Sequence, residues 1–345
     1  MLFLRYPIVL FDEWMGTGMA EVIDPGKPSV WISDFPIARR TDLWAALPQT
    51  MHFQPEEFHP LPEAIAFEYP EIVSREVSPS FEEWSEIIAK FKQSEIEKVV
   101  LARKSSFLFK KGVSPWGLFH FLRKKAPNAF VFAVIFSENL AFVGASPEKL
   151  FTKRGLEIET EALAGTKAGF DGSTLLTSAK DMREFLFVKE TLTDQLQKIC
   201  NPFSINQNIL IKKAGNVSHL HYPFKAVLRN SLNDTDLIQY FHPTPAIGGR
   251  PRDLALDFIR KHEPFDRGYY AGTIGLSSNE ISRVYVGIRS ALISGNAMHV
   301  FTGAGILPES CPLSEWEELN HKQRLFGIYR EGFKNGEFSK NKTQI

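Results

Sequence analysis

The feature that most limits the fold of this chain is the run AFVFAVIF, Ala129 to Phe136, followed after three residues by LAFVGASPEKLF from Leu140. Short apolar runs rich in β-branched and aromatic residues favour strand over helix. The same texture returns near the end. RVYVGIRSALI from Arg283 and AMHVFTGAGI from Ala297 predict a strand pair with Gly295-Asn296 in the connecting turn. A further strand is expected at Val99 to Leu101, directly after Lys98. Strands that arrive in consecutive pairs, instead of alternating regularly with helices, point to the α+β class and require no doubly wound parallel sheet.

Helices are predicted where the period changes. SFEEWSEIIAKFKQ from Ser80 places Phe81, Trp84, Ile87, Ile88 and Phe91 at helical spacing. Phe185, Val188, Leu192, Leu196 and Ile199 mark one face of a second helix from Ser178 to Ile199, and a last helix is expected to start at Ser314. Ahead of Ser80, the prolines at positions 25, 28, 36, 48, 55, 60, 62 and 70 imply strands joined by irregular loops. With 345 residues, 43% of them hydrophobic, the chain can bury a large core. Forty basic residues balance forty acidic ones, so no overall field draws it to nucleic acid or to an anionic membrane. A small-molecule ligand is the better expectation. Two cysteines, Cys200 and Cys311, make no disulfide framework and fit a reducing, cytoplasmic compartment. The apolar start from Met1 to Phe11 is interrupted by Arg5, lacks a basic leader, and reads as a first strand.

Several polar residues stand out against this background. Lys98 places an ammonium at the mouth of an apolar strand, where an unpaired charge costs several kcal/mol. Glu148, in GASPEKL, sits at a turn where a carboxyl group can face a cleft, although a solvated loop glutamate reads the same way. Ser314 and Glu317 match a capping box, which leaves Glu315 and Glu318 on nearly the same helix face, in need of a cation or of solvent. Glu184, one turn into the helix from Ser178, would add a third carboxylate of the kind that suits Mg²⁺. Arg289, read as lying inside the strand VYVGIRSAL, calls either for an anionic ligand or for an internal salt bridge. TGAGI, from Thr302, can offer backbone N–H groups to a carboxylate. Neither G-x-G-x-x-G opening a helix after a strand nor G-x-x-x-x-G-K-[ST] occurs, so Rossmann and P-loop readings have no support.

Taken in order, KVVLAR, GASPEKL, TEALAGT, KDMREF, HPTPAIGG, EPFDRGYYAGTIG, VGIRSA, GAGI and EWEEL resemble the chorismate-utilising enzymes and, among them, the isochorismate synthases. The resemblance covers roughly residues 80 to 329 and implies large, mostly antiparallel sheets packed at the centre with helices outside. The catalytic region is expected over 76–335, with 1–75 a strand-rich part of the same compact unit, and the polar residues 336–345 are expected to form a frayed tail. The activity the resemblance implies is Mg²⁺-dependent isomerisation of chorismate to isochorismate: water adds at ring C2 while the C4 hydroxyl leaves. By the family's pattern Lys98 activates the water and Glu148 protonates the departing hydroxyl. Glu184 and Glu318, with Glu315 nearby, match the Mg²⁺ ligands. Arg289 and Gly303 meet the enolpyruvyl carboxylate. Gly165, Thr166, His219, Ala246 and Tyr270 line the same cavity, and Lys322 balances the charge of the cluster.

Individual residues separate the subtypes that the resemblance leaves open. Anthranilate synthases carry glutamine where Lys98 stands, and aminodeoxychorismate synthases carry lysine where Ala164 stands, so water is the expected nucleophile and no glutamine amidotransferase subunit is expected. Salicylate synthases keep the lysine but typically carry threonine where Ala246 stands, and alanine favours stopping at isochorismate. TEALAGT looks more like the menaquinone branch than the siderophore branch. Two departures are Phe185, where many relatives have histidine, and Glu317, where the residue is often basic or neutral. A chorismate-binding module without turnover is the rival from another class.

Overall fold

The computed structural model describes residues 5–328 apart from 12–13, 23, 25, 38, 40–43, 46, 65, 169–172, 204–207 and 215–216; the expected frayed tail lies outside the described residues. Two antiparallel sheets form its centre. In the ten-stranded sheet the path runs Gly249–Arg250, Lys98–Phe109, Ala297–Ile306, Ser290–Ser294, Leu140–Ser146, Phe130–Ser137, Ile8–Phe11, Trp14–Thr17 and Glu57–Pro60, with Ile72–Ser78 also pairing Lys98–Phe109. In the eight-stranded sheet the order is Leu210–Ala214, Val217–Val227, Glu157–Ala168, Lys149–Arg154, Ser282–Val286, Thr273–Ser277, Ser29–Ser33 and Thr50–Phe53. Strands from the first seventy-five residues therefore enter both sheets. The α+β class expected from the paired strands is what the chain adopts.

The apolar run that opened the sequence reading owes its continuity to burial on both faces. Phe130, Phe132 and Val134 point into the core shared with the eight-stranded sheet, beside Val30, Ile32, Phe151 and Ile158. Val131, Ala133 and Ile135 point the other way, onto Leu118, Phe119 and Leu122 of the helix Pro115–Lys125. Among the described residues no helix is long and apolar enough to cross a membrane.

Capping explains where the helices begin. Ser80 accepts from the Glu83 N–H and Glu83 reaches back to the Ser80 N–H, a complete capping box opening the helix Phe81–Lys92. Ser178 caps Ala179–Ile199 through the Asp181 N–H, as the sequence suggested. The last helix departs from expectation. It runs Pro312–Gln323, with Pro312 in the first turn, where a missing N–H costs nothing, and Cys311 as N-cap without a side-chain bond. Ser314 and Glu317 thus lie inside the helix and form no capping box there.

Two chain crossings between the sheets bear most on function. LAFVGASPEKLF leaves the ten-stranded sheet after Ser146 and enters the eight-stranded one at Lys149. RVYVGIRSALI makes the reverse passage between Val286 and Ser290, so it is two strands in two sheets and not one. The crossings run side by side: the Ala145 N–H donates to the Arg289 carbonyl at 3.0 Å and the Val286 N–H to the Glu148 carbonyl at 3.1 Å. Arg289, expected within a strand, instead occupies the turn with φ 50°, a left-handed conformation uncommon for a side-chain-bearing residue and often found at functional positions.

Candidate active site

A cavity enclosing about 620 Å³, its open mouth included, lies where these crossings meet the strand Ala297–Ile306 and the helices Ala179–Ile199 and Pro312–Gln323. Its walls include Glu148, Gly165, Thr166, Glu184, His219, Ala246, Tyr270, Arg289, Gly303 and Lys322. Ten of the residues picked from the sequence thus surround one space. Lys98 and Glu318 stand behind that wall and connect to it through ion pairs with Glu184 and Lys322, while Glu315 pairs with Lys180, which is not part of the wall.

Glu148 is 6% exposed, and burial together with the nearby Glu161 carboxylate raises it to about 7, against the opposing pull of Lys98, the Thr244 hydroxyl and Lys212. Thr244 Oγ1 lies 3.4 Å from Glu148 Oε1. Such a carboxyl holds a proton near neutrality and can donate it. Arg289 is 5% exposed, and burial lowers it to about 10. Among the described residues no carboxylate lies within ion-pair distance of it. Its nearest polar side-chain contact is His219 Nε2, 3.5 Å from Nη2. The internal salt bridge that the sequence left open is therefore absent, and a buried guanidinium facing a cavity favours an anion.

His219 is held neutral. Burial and then the Arg289 and Lys322 cations push it well below the usual range. Its Nδ1 faces the Gly165 carbonyl at 3.2 Å and Thr166 Oγ1 at 3.1 Å, so the proton belongs on Nδ1 and Nε2 presents a lone pair toward Arg289. Gly165, at φ 66°, forms a bulge between Ala164 and Thr166, and a Cβ there would press on Asp181 at 3.2 Å. Glycine thus lets the helix bearing Glu184 approach the strand. Gly303 leaves room for Tyr270: a Cβ would come within 2.5 Å of its hydroxyl. The Gly303 carbonyl accepts from Lys322 Nζ at 2.7 Å.

Lys98 is fully buried, and its only ion-pair partner among the described residues is Glu184 Oε1 at 3.2 Å, an approach without hydrogen-bond alignment. The ammonium at the mouth of the strand is therefore not surrounded by apolar groups alone. Each of the three candidate metal carboxylates has a lysine: Glu184 has Lys98, Glu315 has Lys180, and Glu318 has Lys322 at 2.6 Å. Among the described residues no three acidic, imidazole or thiol groups converge as a ready-made ligand set. The donor chemistry nevertheless fits a hard divalent cation. Glu315, 1% exposed, is raised to about 6 by burial and then by the Glu318 charge, against the opposing pull of Lys180. Gly305 also leaves a cradle, since a Cβ there would fall 2.0 Å from Glu184 Oε1.

Two arrangements escaped the sequence reading. Glu161 collects Lys212, His221 and the Lys149 N–H beneath Glu148. The buried pair Glu263–Arg267, 2.5 Å apart, ties the Ala102 N–H and the Val100 and Ile247 carbonyls to the segment before Tyr270. EPFDRG contains an acid and a base four residues apart, which is the one signal the sequence carried for the second.

Comparison with known proteins adds independent observations. The family model of chorismate binding enzymes matches residues 38–326. Isochorismate synthase MenF of Escherichia coli is 36% identical over 243 residues, 67% of this chain and 55% of that protein. Isochorismate synthase MenF of Haemophilus influenzae is 32% identical over 256 residues, 72% of this chain and 59% of the relative. This chain thus spans less than two thirds of either relative's length. The solved structure of the menaquinone-specific isochorismate synthase MenF from Escherichia coli shares the fold, with a TM-score of 0.81 over 94% of this chain and 88% of that one at 24% identity.

Proposed function

Since the chain belongs to the chorismate-binding enzyme family, we propose that it is an isochorismate synthase, isomerising chorismate to isochorismate. One observation carries this reading furthest: a protonatable Glu148 and a guanidinium without a carboxylate partner among the described residues, Arg289, face the same cavity. Chorismate is a dianion with a hydroxyl that must leave, and it needs both groups. In this assignment Arg289 binds one carboxylate, with Gly303, Tyr270 and the Gly165–Thr166 turn shaping the space around the ring. Glu148 gives its proton to the C4 hydroxyl as that oxygen leaves. Lys98, acting as the uncharged amine, takes a proton from the water that adds at C2 and is left as an ammonium, so one water enters and one leaves while the ring double bonds shift.

Glu184, Glu315 and Glu318 are the residues that would hold Mg²⁺, which when bound supplies a positive anchor for the ring carboxylate. For the carboxylates to do so, they must exchange lysine contacts for the ion. Lys322 and Lys180 then keep the cluster near neutrality. Neutral His219 is positioned to orient Arg289 without adding charge. Ala246 leaves no side-chain hydroxyl at its place on the wall, consistent with release of isochorismate before pyruvate is eliminated. The similarity to proteins named MenF supports a place in menaquinone formation, and the two free cysteines suit a cytoplasmic setting. Incubation with chorismate and Mg²⁺, followed by chromatography of the products, tests the proposal. Isochorismate is expected; salicylate, anthranilate, or bound but unchanged chorismate would overturn it.

A further inference from the structure

Glu161 lies on the strand Glu157–Ala168, 8% exposed, with three hydrogen-bonding groups on its carboxylate. Lys212 Nζ donates to both oxygens at 2.8 and 2.9 Å, His221 Nε2 lies 2.7 Å from Oε2, and the Lys149 N–H donates to Oε1 at 3.0 Å. The same Lys212 ammonium donates to the Pro147 carbonyl at 3.0 Å. The peptide groups before and after Glu148 are thus both fastened to one carboxylate, one directly and one through a lysine. We propose that Glu161 is a positioning residue for Glu148: it clamps the backbone on either side and supplies a fixed negative charge against which the Glu148 carboxyl keeps its proton.

The charge is fixed because burial alone would raise Glu161, yet His221 and Lys212 hold it down to about 2. It remains ionised while Glu148 titrates. The other groups near Glu148 are Lys98, Lys212 and Tyr270, with Arg289, His219, Glu184 and Lys322 elsewhere on the wall. Of these, Lys98 and Lys212 favour the ionised form of Glu148 and Glu161 opposes it. Removing Glu161 or Lys212 must therefore move Glu148 in opposite directions, whereas loss of a merely structural brace would not reverse sign.

The inference rests on the proposed reaction for its catalytic meaning, so its test has a readout that needs no turnover. In protein ¹³C-labelled at the glutamate side-chain carboxyls, the Glu148 signal is assigned by its absence from Glu148→Gln. Glu161→Gln is expected to lower the Glu148 titration midpoint, and Lys212→Met to raise it, each on the order of one pH unit. Unmoved midpoints, or shifts in the same direction, would overturn the inference. If Glu161→Gln does not fold, Lys212→Met decides alone, by an upward shift or its absence. If wild-type protein turns over chorismate, kcat of Glu161→Gln at pH 8 should fall about tenfold, the loss of protonated acid that one unit implies, with KM nearly unchanged. A KM effect with unaltered kcat would count against the inference. Absence of turnover in the wild type would defeat the proposed function and leave the titration result standing.

Discussion

Replacing Glu148 with glutamine should make the protein more stable at alkaline pH while removing the general acid proposed above. The side chain is 6% exposed, and burial beside Glu161 raises it from an ordinary 4.5 to about 7. In the unfolded chain the carboxyl ionises first. Below about pH 4.5 both states hold the proton and the native state incurs no penalty. Between 4.5 and 7 the unfolded state alone releases it, so stability falls as pH rises and the loss is complete above the folded value. At 1.36 kcal/mol per unit the penalty at pH 8 is on the order of 3 kcal/mol. Glutamine keeps the shape and never ionises, so it escapes that penalty. For a chain of 345 residues, about 2.1 cal/mol/K of unfolding entropy per residue turns 3 kcal/mol into about 4 °C. Thermal unfolding of wild type and Glu148→Gln at pH 5 and pH 8 is the assay. The variant should gain about 4 °C over wild type at pH 8 and little at pH 5, because all other titrations cancel in the difference. Its turnover should fall by about 10² to 10⁴. A stability difference that does not depend on pH would refute the argument for a buried, protonatable Glu148.

Three other outcomes follow from the same geometry. Lys98→Met, which fills the buried space of Lys98 without an amine, should reduce kcat about 10²-fold or more in a chromatographic assay; near-normal turnover would remove Lys98 from the reaction. Glu184→Gln and Glu318→Gln should each weaken Mg²⁺ binding by tenfold or more in calorimetric titration, and indifference to both would place the cation elsewhere. Gly305→Ala should fold with a nearly unchanged midpoint, since its Cβ meets the side-chain ends of Glu184 and Lys98 and not backbone, yet lose about 10²-fold in turnover as that pair is displaced; full activity would show that the position of the pair is immaterial.

Local pattern carried much of the fold into view. The helix opened by Ser80 and the one opened by Ser178 could be read because capping and apolar spacing are contained within a few residues. The start of the last helix could not, because Ser314–Glu317 and Pro312 offered competing signals and the proline prevailed. RVYVGIRSALI appeared to be one strand because both of its halves are apolar and alternating, and alternation does not say to which sheet a residue belongs. The site was legible residue by residue, through Glu148, Arg289 and the glycines, but its pairing was not. Glu161 meets Lys212 and His221 across 51 and 60 residues, and nothing short-range in TEALAGT announces either partner.

The crossings themselves explain why the proposed site lies where it does. Within a sheet interior, a strand residue faces packed side chains, so an ionisable group there must be paired or neutral. Where a chain passes from one sheet to the other, its backbone turns and its side chains face the gap that the sheets do not fill. Here two such passages lie against each other, joined by the Ala145–Arg289 and Val286–Glu148 backbone bonds. One presents a carboxyl group and the other a guanidinium, yet the two face a common cavity instead of forming an ion pair with each other. That separation keeps Glu148 protonatable and Arg289 free of a carboxylate. Were the crossings slack enough for the two side chains to meet, the pair would satisfy itself, Glu148 would ionise, and neither proton nor anion site would remain. The passage bearing Glu148 is fastened from below by Glu161 and Lys212 and bonded to its neighbour through Ala145 and Val286, which makes these contacts a condition of the proposed chemistry and not only of the fold.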